Sequence, residues 1–193
     1  METYTALMVD LEKSRQYSVS ERKQIQDRLI QCIGFLNRLY KPAVVLDVEF
    51  SAGDEFQGLF RSPATAYLFY RSLDTLIAPV RTRAGIGTGE WTLRIPDGRS
   101  AEQDGTAYHL ARHALEGTQD GAGQVCFLSG SDEDVFINEF LSIEQGMLGG
   151  LTDKQRLLLL LSEVMVPVLR ENDMDIAVYP EIFGLVDNSQ IVM

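Results

Sequence analysis

The chain has 193 residues, 45% of them hydrophobic and 23% charged, enough to build the core of one medium domain with a small appendage. Its net charge of −11 argues against nonspecific attachment to nucleic acid or to anionic membrane, and is compatible with carboxylates converging on a metal. The opening METYTALMVDLEKS has no basic segment ahead of its short apolar run, and Leu157–Leu161 is too short to span a bilayer, so a cytoplasmic protein with no membrane partner is expected.

Tyr4–Leu11 is an apolar run ending in an acid and reads as a central strand, buried on both faces. Ser18-Val-Ser-Glu21 has the form of a capping box. Behind it Ile25, Leu29, Ile33, Leu36 and Tyr40 recur at helical spacing until Pro42. Cys32 falls in this helix; with Cys126 it sits in apolar surroundings without a CxxC pattern, so both are expected to be reduced core residues.

Ala43–Ser51 alternates, with Val44, Leu46, Val48 and Phe50 on one side. Gly53-Asp54-Glu55 turns the chain and Phe56–Phe60 returns, which makes a hairpin. Ser62-Pro63 caps a second helix, with Ala66, Phe69, Tyr70, Leu73 and Ile77 on its buried face. Thr82–Glu90 reads as a strand whose alternate residues Gly85, Gly87 and Gly89 invite a close backbone approach. Asp104–Leu115 becomes a third helix and Gln124–Leu128 a last short strand.

The order β-α-β-β-α-β-α-β begins with the split βαβ, or ferredoxin-like, arrangement. The expected fold is therefore α+β: one antiparallel sheet with helices on one face, the other left free for a ligand. The expected domain is residues 1–128, with a connector at 129–150 and a helical tail at 151–193. In the tail, Thr152 should cap a helix that Pro167 ends or kinks; Met174–Phe183 and Asp187–Val192 are candidates for further helices.

In a split βαβ sheet the first strand is central and pairs with the hairpin, so Asp10 and Asp54 become neighbours. Mg²⁺ is usually held by one or two carboxylates together with phosphates and water, and two carboxylates here suit Mg²⁺ or Mn²⁺. Gly-Asp is also a frequent hairpin tip, so the pair taken alone reads more readily as a structural turn. Between Asp10 and the first helix, LEKSRQYS offers backbone N–H groups, Ser14, Lys13 and Arg15 to phosphate, or is a solvated loop. Arg112 in the third helix reads as a phosphate contact or a surface ion pair. His109 and His113 share a helix face but lack the pattern of a zinc site.

Four segments, VDLEKSR, SAGDEFQGLF, RAGIGTGEW and DGTAYHLARHAL, resemble in this order the SatD family of bacterial proteins and, more widely, class III nucleotidyl cyclase catalytic domains and their diguanylate cyclase cousins. The resemblance implies Asp10 and Asp54 as metal ligands, with Glu55 at the acidic position of the GGDEF hairpin. It implies backbone at Leu11–Ser14 against a triphosphate and Arg112 at the position of the transition-state arginine. It also implies a nucleoside triphosphate or related nucleotide as ligand, and a homodimer, because cyclases usually build their site across one. Two positions depart from the cyclase pattern: Phe50 replaces a base-reading Lys and Tyr108 replaces an Asn. The expected function is metal-dependent nucleotide binding, with phosphoryl transfer or sensing as its outcome. The alternative is a catalytically silent regulatory or DNA-associated adaptor acting through its C-terminal helices. The tail resembles the start of a helix-turn-helix, but its acids outnumber Lys154, Arg156 and Arg170, so DNA binding by this chain is not expected.

Overall fold

A computed structural model describes residues 2–119, 124–165, 173–178 and 180–187. Strand β1 (Tyr4–Leu11) leads to helix α1 (Val19–Leu39), then to the hairpin β2 (Val44–Ala52) and β3 (Glu55–Phe60). Helix α2 (Pro63–Leu76), strand β4 (Thr82–Gly89), helix α3 (Thr106–Gln119) and strand β5 (Val125–Leu128) complete the expected order. Local chemistry sets the boundaries. Ser18 and Glu21 exchange both capping-box hydrogen bonds at the start of α1. Ser62 accepts from the Thr65 N–H with Pro63 at the first turn of α2. Gly53 turns the hairpin at φ 60°.

The sheet runs β2-β3-β1-β4-β5. All neighbours are antiparallel except β4 and β5. This is the split βαβ order with one strand added at the β4 edge. Leu7, Val9, Phe56, Phe60 and Ile86 face α1 and α2 in the larger core cluster.

The other face is not free. Tyr4, Ala6, Met8 and Leu59 pack there against Ala107, Tyr108, Ala111 and Leu115 of α3. The arrangement with helices on one face therefore describes α1 and α2 alone. The cause is the glycine stripe: a Cβ on Gly85 would lie 2.1 Å from the Ala111 carbonyl oxygen, and one on Gly87 would lie 2.1 Å from the Ala111 nitrogen. The backbone that approaches these glycines is that of α3. Beside α3, a short 3₁₀ turn at Ser100–Glu102 covers part of the hairpin, and Gln57 donates from its side chain to the Ser100 carbonyl at 2.9 Å. Access for a ligand is left at the end of the sheet, where β1 and the hairpin turn lie.

The alternation expected of β2 breaks at Leu46. Bulges on either side of it shift the register. Leu46 consequently packs with Val45 toward the α3 side, while Val44, Val48 and Phe50 keep to the other. Both sheet edges are closed by an asparagine. Asn37 of α1 exchanges two hydrogen bonds with the Val48 backbone on β2, each 2.9 Å, and Asn138 does the same at Phe127 on β5, each 2.8 Å. These amides occupy edge groups that another strand would otherwise pair with.

The segment read only as a connector contains helix α4 (Asp134–Gly149). Helix α5 (Asp153–Met165) starts at Thr152 as expected, with Thr152 and Gln155 bonded side chain to backbone in both directions. The candidate helix over Met174–Phe183 is divided into a 3₁₀ turn at Ile176–Val178 and helix α6 (Glu181–Asp187), with Pro180 immediately before α6. Leu160, Val164, Met174 and Ile182 share the core of α1 and α2. Pro167 and residues 188–192 of the last candidate helix lie outside the described residues.

Gly87→Ala should lower stability by about 3 kcal/mol, because backbone rather than a flexible side chain occupies the space of the new methyl. Gly117→Ala, at a position in α3 with nothing within 4 Å, should be neutral or slightly stabilising. Chemical denaturation of the two variants checks this, and equal stabilities would show that α3 does not rest on the glycine stripe.

Candidate functional site

Asp10 stands one residue before the end of β1, opposite Glu55 on β3 and opposite Arg83 on β4. Its face is fixed by period two: it follows Tyr4, Ala6 and Met8 on the α3 side. Glu55, Asp10 and Arg83 therefore form a charged row across three strands. Arg83 donates from Nη2 to Asp10 Oδ2 at 2.5 Å. Arg112 comes down from α3 and donates to both oxygens of Glu55, at 2.5 and 2.6 Å. Ser51 donates to Glu55 Oε1 at 3.1 Å.

The two acids are held differently. Burial pushes the Asp10 carboxyl above its ordinary value; the Arg83 bond pulls it down, and repulsion from Asp54 and Glu55 adds to the rise. The paired guanidinium of Arg112 holds Glu55 below its ordinary value against the cost of burial. Glu55 is a compensated charge, whereas Asp10 still lacks positive charge.

The loop after β1 is shaped rather than loose. The Glu12 N–H donates to the Arg81 carbonyl at 3.0 Å. Lys13 adopts the left-handed region at φ 54°, ψ 29°, a conformation that costs a non-glycine residue about 1 kcal/mol. A 3₁₀ turn follows at Ser14–Gln16. Arg22 from the first turns of α1 donates to the carbonyls of Tyr17 at 3.0 Å and Arg15 at 3.4 Å, tying the loop to the helix.

Between this loop and the hairpin turn lies a cavity of about 640 Å³. Asp10 and Asp54 line it together with Lys13, Arg15, Arg22 and Arg83. The expected site residues Asp10, Leu11, Lys13, Ser14, Arg15 and Asp54 all border this one space. Glu55 and Arg112 do not; they engage each other beside it. Among the described residues no three His, Cys, Asp or Glu side chains form a metal-holding group, so Asp10, Asp54 and Glu55 are not assembled as a triad. The donor set fits an ion that takes two carboxylates and completes its shell with phosphate and water, and does not fit an all-protein cage.

Arg83 and Arg22 escaped the sequence reading. Arg83 carried a usable signal, since it precedes Gly85 by two and must share its strand face; its meeting with Asp10 depended on a register that no motif announces. The two departures from the cyclase pattern serve packing. Phe50 meets Phe56 edge to face at 5.8 Å between ring centres. Tyr108 is buried against the sheet with its hydroxyl 3.3 Å from that of Ser100. His109 pairs with Asp104 at 3.0 Å. Cys32 is a buried thiol whose pKa burial pushes up to about 11, and Cys126 is half-buried; both are free.

The SatD family model matches residues 4–156, from the first strand into α5. The chain belongs to the SatD family. No curated protein matches it by sequence. Among solved structures this SatD chain is similar to the catalytic core of a rhodopsin-guanylyl cyclase with converted specificity in complex with ATPαS, at 14% identity and TM-score 0.47 over 60% of this chain and 72% of that one. It is similar to the GGDEF domain of DgcB from Caulobacter crescentus in complex with c-di-GMP, at 13% identity and TM-score 0.45 over 66% of this chain and 77% of that one. It is also similar to a bacterial light-regulated adenylyl cyclase, at 14% identity and TM-score 0.48 over 65% of this chain and 42% of that one. No helix among the described residues is long and apolar enough to cross a membrane.

Because Glu55 titrates below its unfolded value, its pair with Arg112 stabilises the fold above the ordinary carboxylate range and ceases to do so as pH falls through Glu55's own titration. In Arg112→Met the Glu55 midpoint should rise, and the stability difference from wild type should close at acid pH. Carboxyl-carbon NMR titration reads the midpoint directly; an unchanged midpoint would mean that Arg112 does not hold this carboxylate in solution.

Proposed function

We propose that this SatD protein binds a nucleoside polyphosphate together with Mg²⁺ or Mn²⁺ in the cavity between the β1 loop and the hairpin turn. The observation that carries this is the concentration of charge. A chain of net charge −11 gathers Lys13, Arg15, Arg22 and Arg83 round one space that also holds Asp10 and Asp54. A polyanion accompanied by a cation satisfies both sets at once. The likeness of VDLEKSR and SAGDEF to cyclase and diguanylate cyclase motifs supports the same ligand class.

The roles follow from position. Asp10 and Asp54 are the metal-holding carboxylates, Asp10 because its charge is under-compensated. Lys13, Arg15 and Ser14 meet phosphate oxygens, with the kinked loop backbone from Leu11 beside them. Arg83 is held by Asp10 before binding and turns to phosphate once the Asp10 charge is taken up. A bound divalent cation supplies charge neutralisation at the phosphates. Arg112 is the residue for phosphoryl transfer if turnover occurs, and to act it has to leave Glu55. Its bidentate engagement there, with Phe50 and Tyr108 committed to packing, favours binding and sensing over turnover.

Thermal-shift measurements with nucleoside triphosphates, with and without Mn²⁺, test the reading. A ligand at about a hundred times its dissociation constant adds about 2.7 kcal/mol, a shift of several degrees at this size. Wild type should show a shift that needs both nucleotide and metal, and Asp54→Ala should lose it. No metal-dependent shift with any nucleotide would remove the proposal. Chromatography of incubated nucleotide then distinguishes turnover from binding alone.

A further inference from the structure

Helix α4 packs at the β5 edge with Asp134, Asn138 and Gln145 turned inward. Asn138 bonds the Phe127 backbone, and Gln145 Oε1 accepts the N–H groups of Gln124 at 2.6 Å and Val125 at 3.3 Å. Asp134 accepts the N–H groups of Ser129 at 2.7 Å and Gly130 at 3.0 Å. The outward side is apolar: Phe136 is 68% exposed, Phe140 73%, Ile143 54% and Met147 69%. This inverts the usual pattern of a surface helix. The four residues recur at spacings of four, three and four, the seam of a two-helix contact. Together they expose roughly 500 Å² of apolar side chain, near the top of the range for the largest patch on a typical monomer.

We propose that this face of α4 pairs with α4 of a second copy of the chain, antiparallel about a twofold axis. Two observations select that occupant. The spacing four-three-four reads the same in both directions, so a twofold axis between Phe140 and Ile143 sets Phe140 against Ile143 of the second copy and Phe136 against Met147. An isologous interface requires this self-complementarity. The area also suffices: two such faces together remove about 1,000 Å², the least expected of a biological interface. An anionic bilayer is disfavoured, because the stripe is flanked by Glu133 and Glu139 on a strongly acidic chain. The same acidity makes the two copies repel, so the association strengthens as salt is added. The contact lies at the β5 edge, whereas the cavity lies at the end of β1, so the dimer leaves each cavity within its own chain.

Sedimentation velocity on the full chain from about 1 to 200 µM tests this. Wild type should be a dimer. Phe140→Lys and Ile143→Glu should each weaken association by about thirtyfold or more, with cooperative melting and far-UV circular dichroism retained. Mixing the two variants should restore a dimer, because the introduced ammonium of one chain and the introduced carboxylate of the other then face each other in the antiparallel register. A monomeric wild type at about 200 µM overturns the proposal, including the case in which Phe140→Lys destabilises that monomer because another segment of the same chain covers the stripe. A dimer that survives both substitutions overturns it, and folded variants that stay monomeric when mixed overturn the antiparallel pairing.

Discussion

The close approach of α3 to β4 is the constraint from which the rest of the molecule follows. A helix normally stands off a sheet by the depth of two side chains. Here Gly85, Gly87 and Gly89 remove one of them, and the backbone around Ala107 and Ala111 drops into the space. Three consequences result. The second face of the sheet is covered where α3 lies, which leaves the charged cavity at the sheet's end. Arg112 is brought over the hairpin and locks onto Glu55. The row Glu55–Asp10–Arg83 becomes half-buried, which makes its charges expensive unless matched.

That row explains the division of labour at the site. Glu55 has a bidentate partner and behaves as structure, fixing the hairpin to α3. Asp10 has one bond from Arg83 and two acidic neighbours, and burial leaves its charge under-compensated. In the proposed function such a group would respond to an incoming cation, with the Arg83 ion pair as the element that changes. The kinked Lys13, in a loop that Arg22 ties down through the Arg15 and Tyr17 carbonyls, borders the same space and is the proposed phosphate side of it. The proposed sensing of a metal-bound polyphosphate would need no more than this; turnover would also need Arg112 released.

Much of this was legible in the sequence, for identifiable reasons. Capping residues at Ser18 and Ser62 and the period of Ile25, Leu29, Ile33 and Leu36 are local signals, and they set α1 and α2 within a residue or two. Asp10, Asp54 and the loop after β1 came to one cavity because strand order follows from the order of elements. What failed needed information that pattern does not hold. Period says which residues share a face but not which layer covers it, so the glycines announced an approach without naming α3. A bulge reverses alternation, and it moved Leu46 to the other side. Arg83 met Asp10 through a register set by long-range pairing. Residues 129–150 read only as a connector, and that the apolar residues of α4 point outward depended on Asn138 and Gln145 being needed at the β5 edge.

Both edges of the sheet are met by side-chain amides, Asn37 on β2 and Asn138 on β5, and the charged cavity lies at the end of β1. The central claim is that Asp10 and Asp54 hold a cation there beside phosphate. Anomalous diffraction from crystals grown with Mn²⁺ and a non-hydrolysable nucleoside triphosphate tests it most directly. A manganese peak is expected between the Asp10 and Asp54 carboxylates, with phosphate against the Lys13–Arg15 loop and Arg83 turned away from Asp10. Manganese and phosphate bound elsewhere, with the Asp10–Arg83 pair intact, would contradict it.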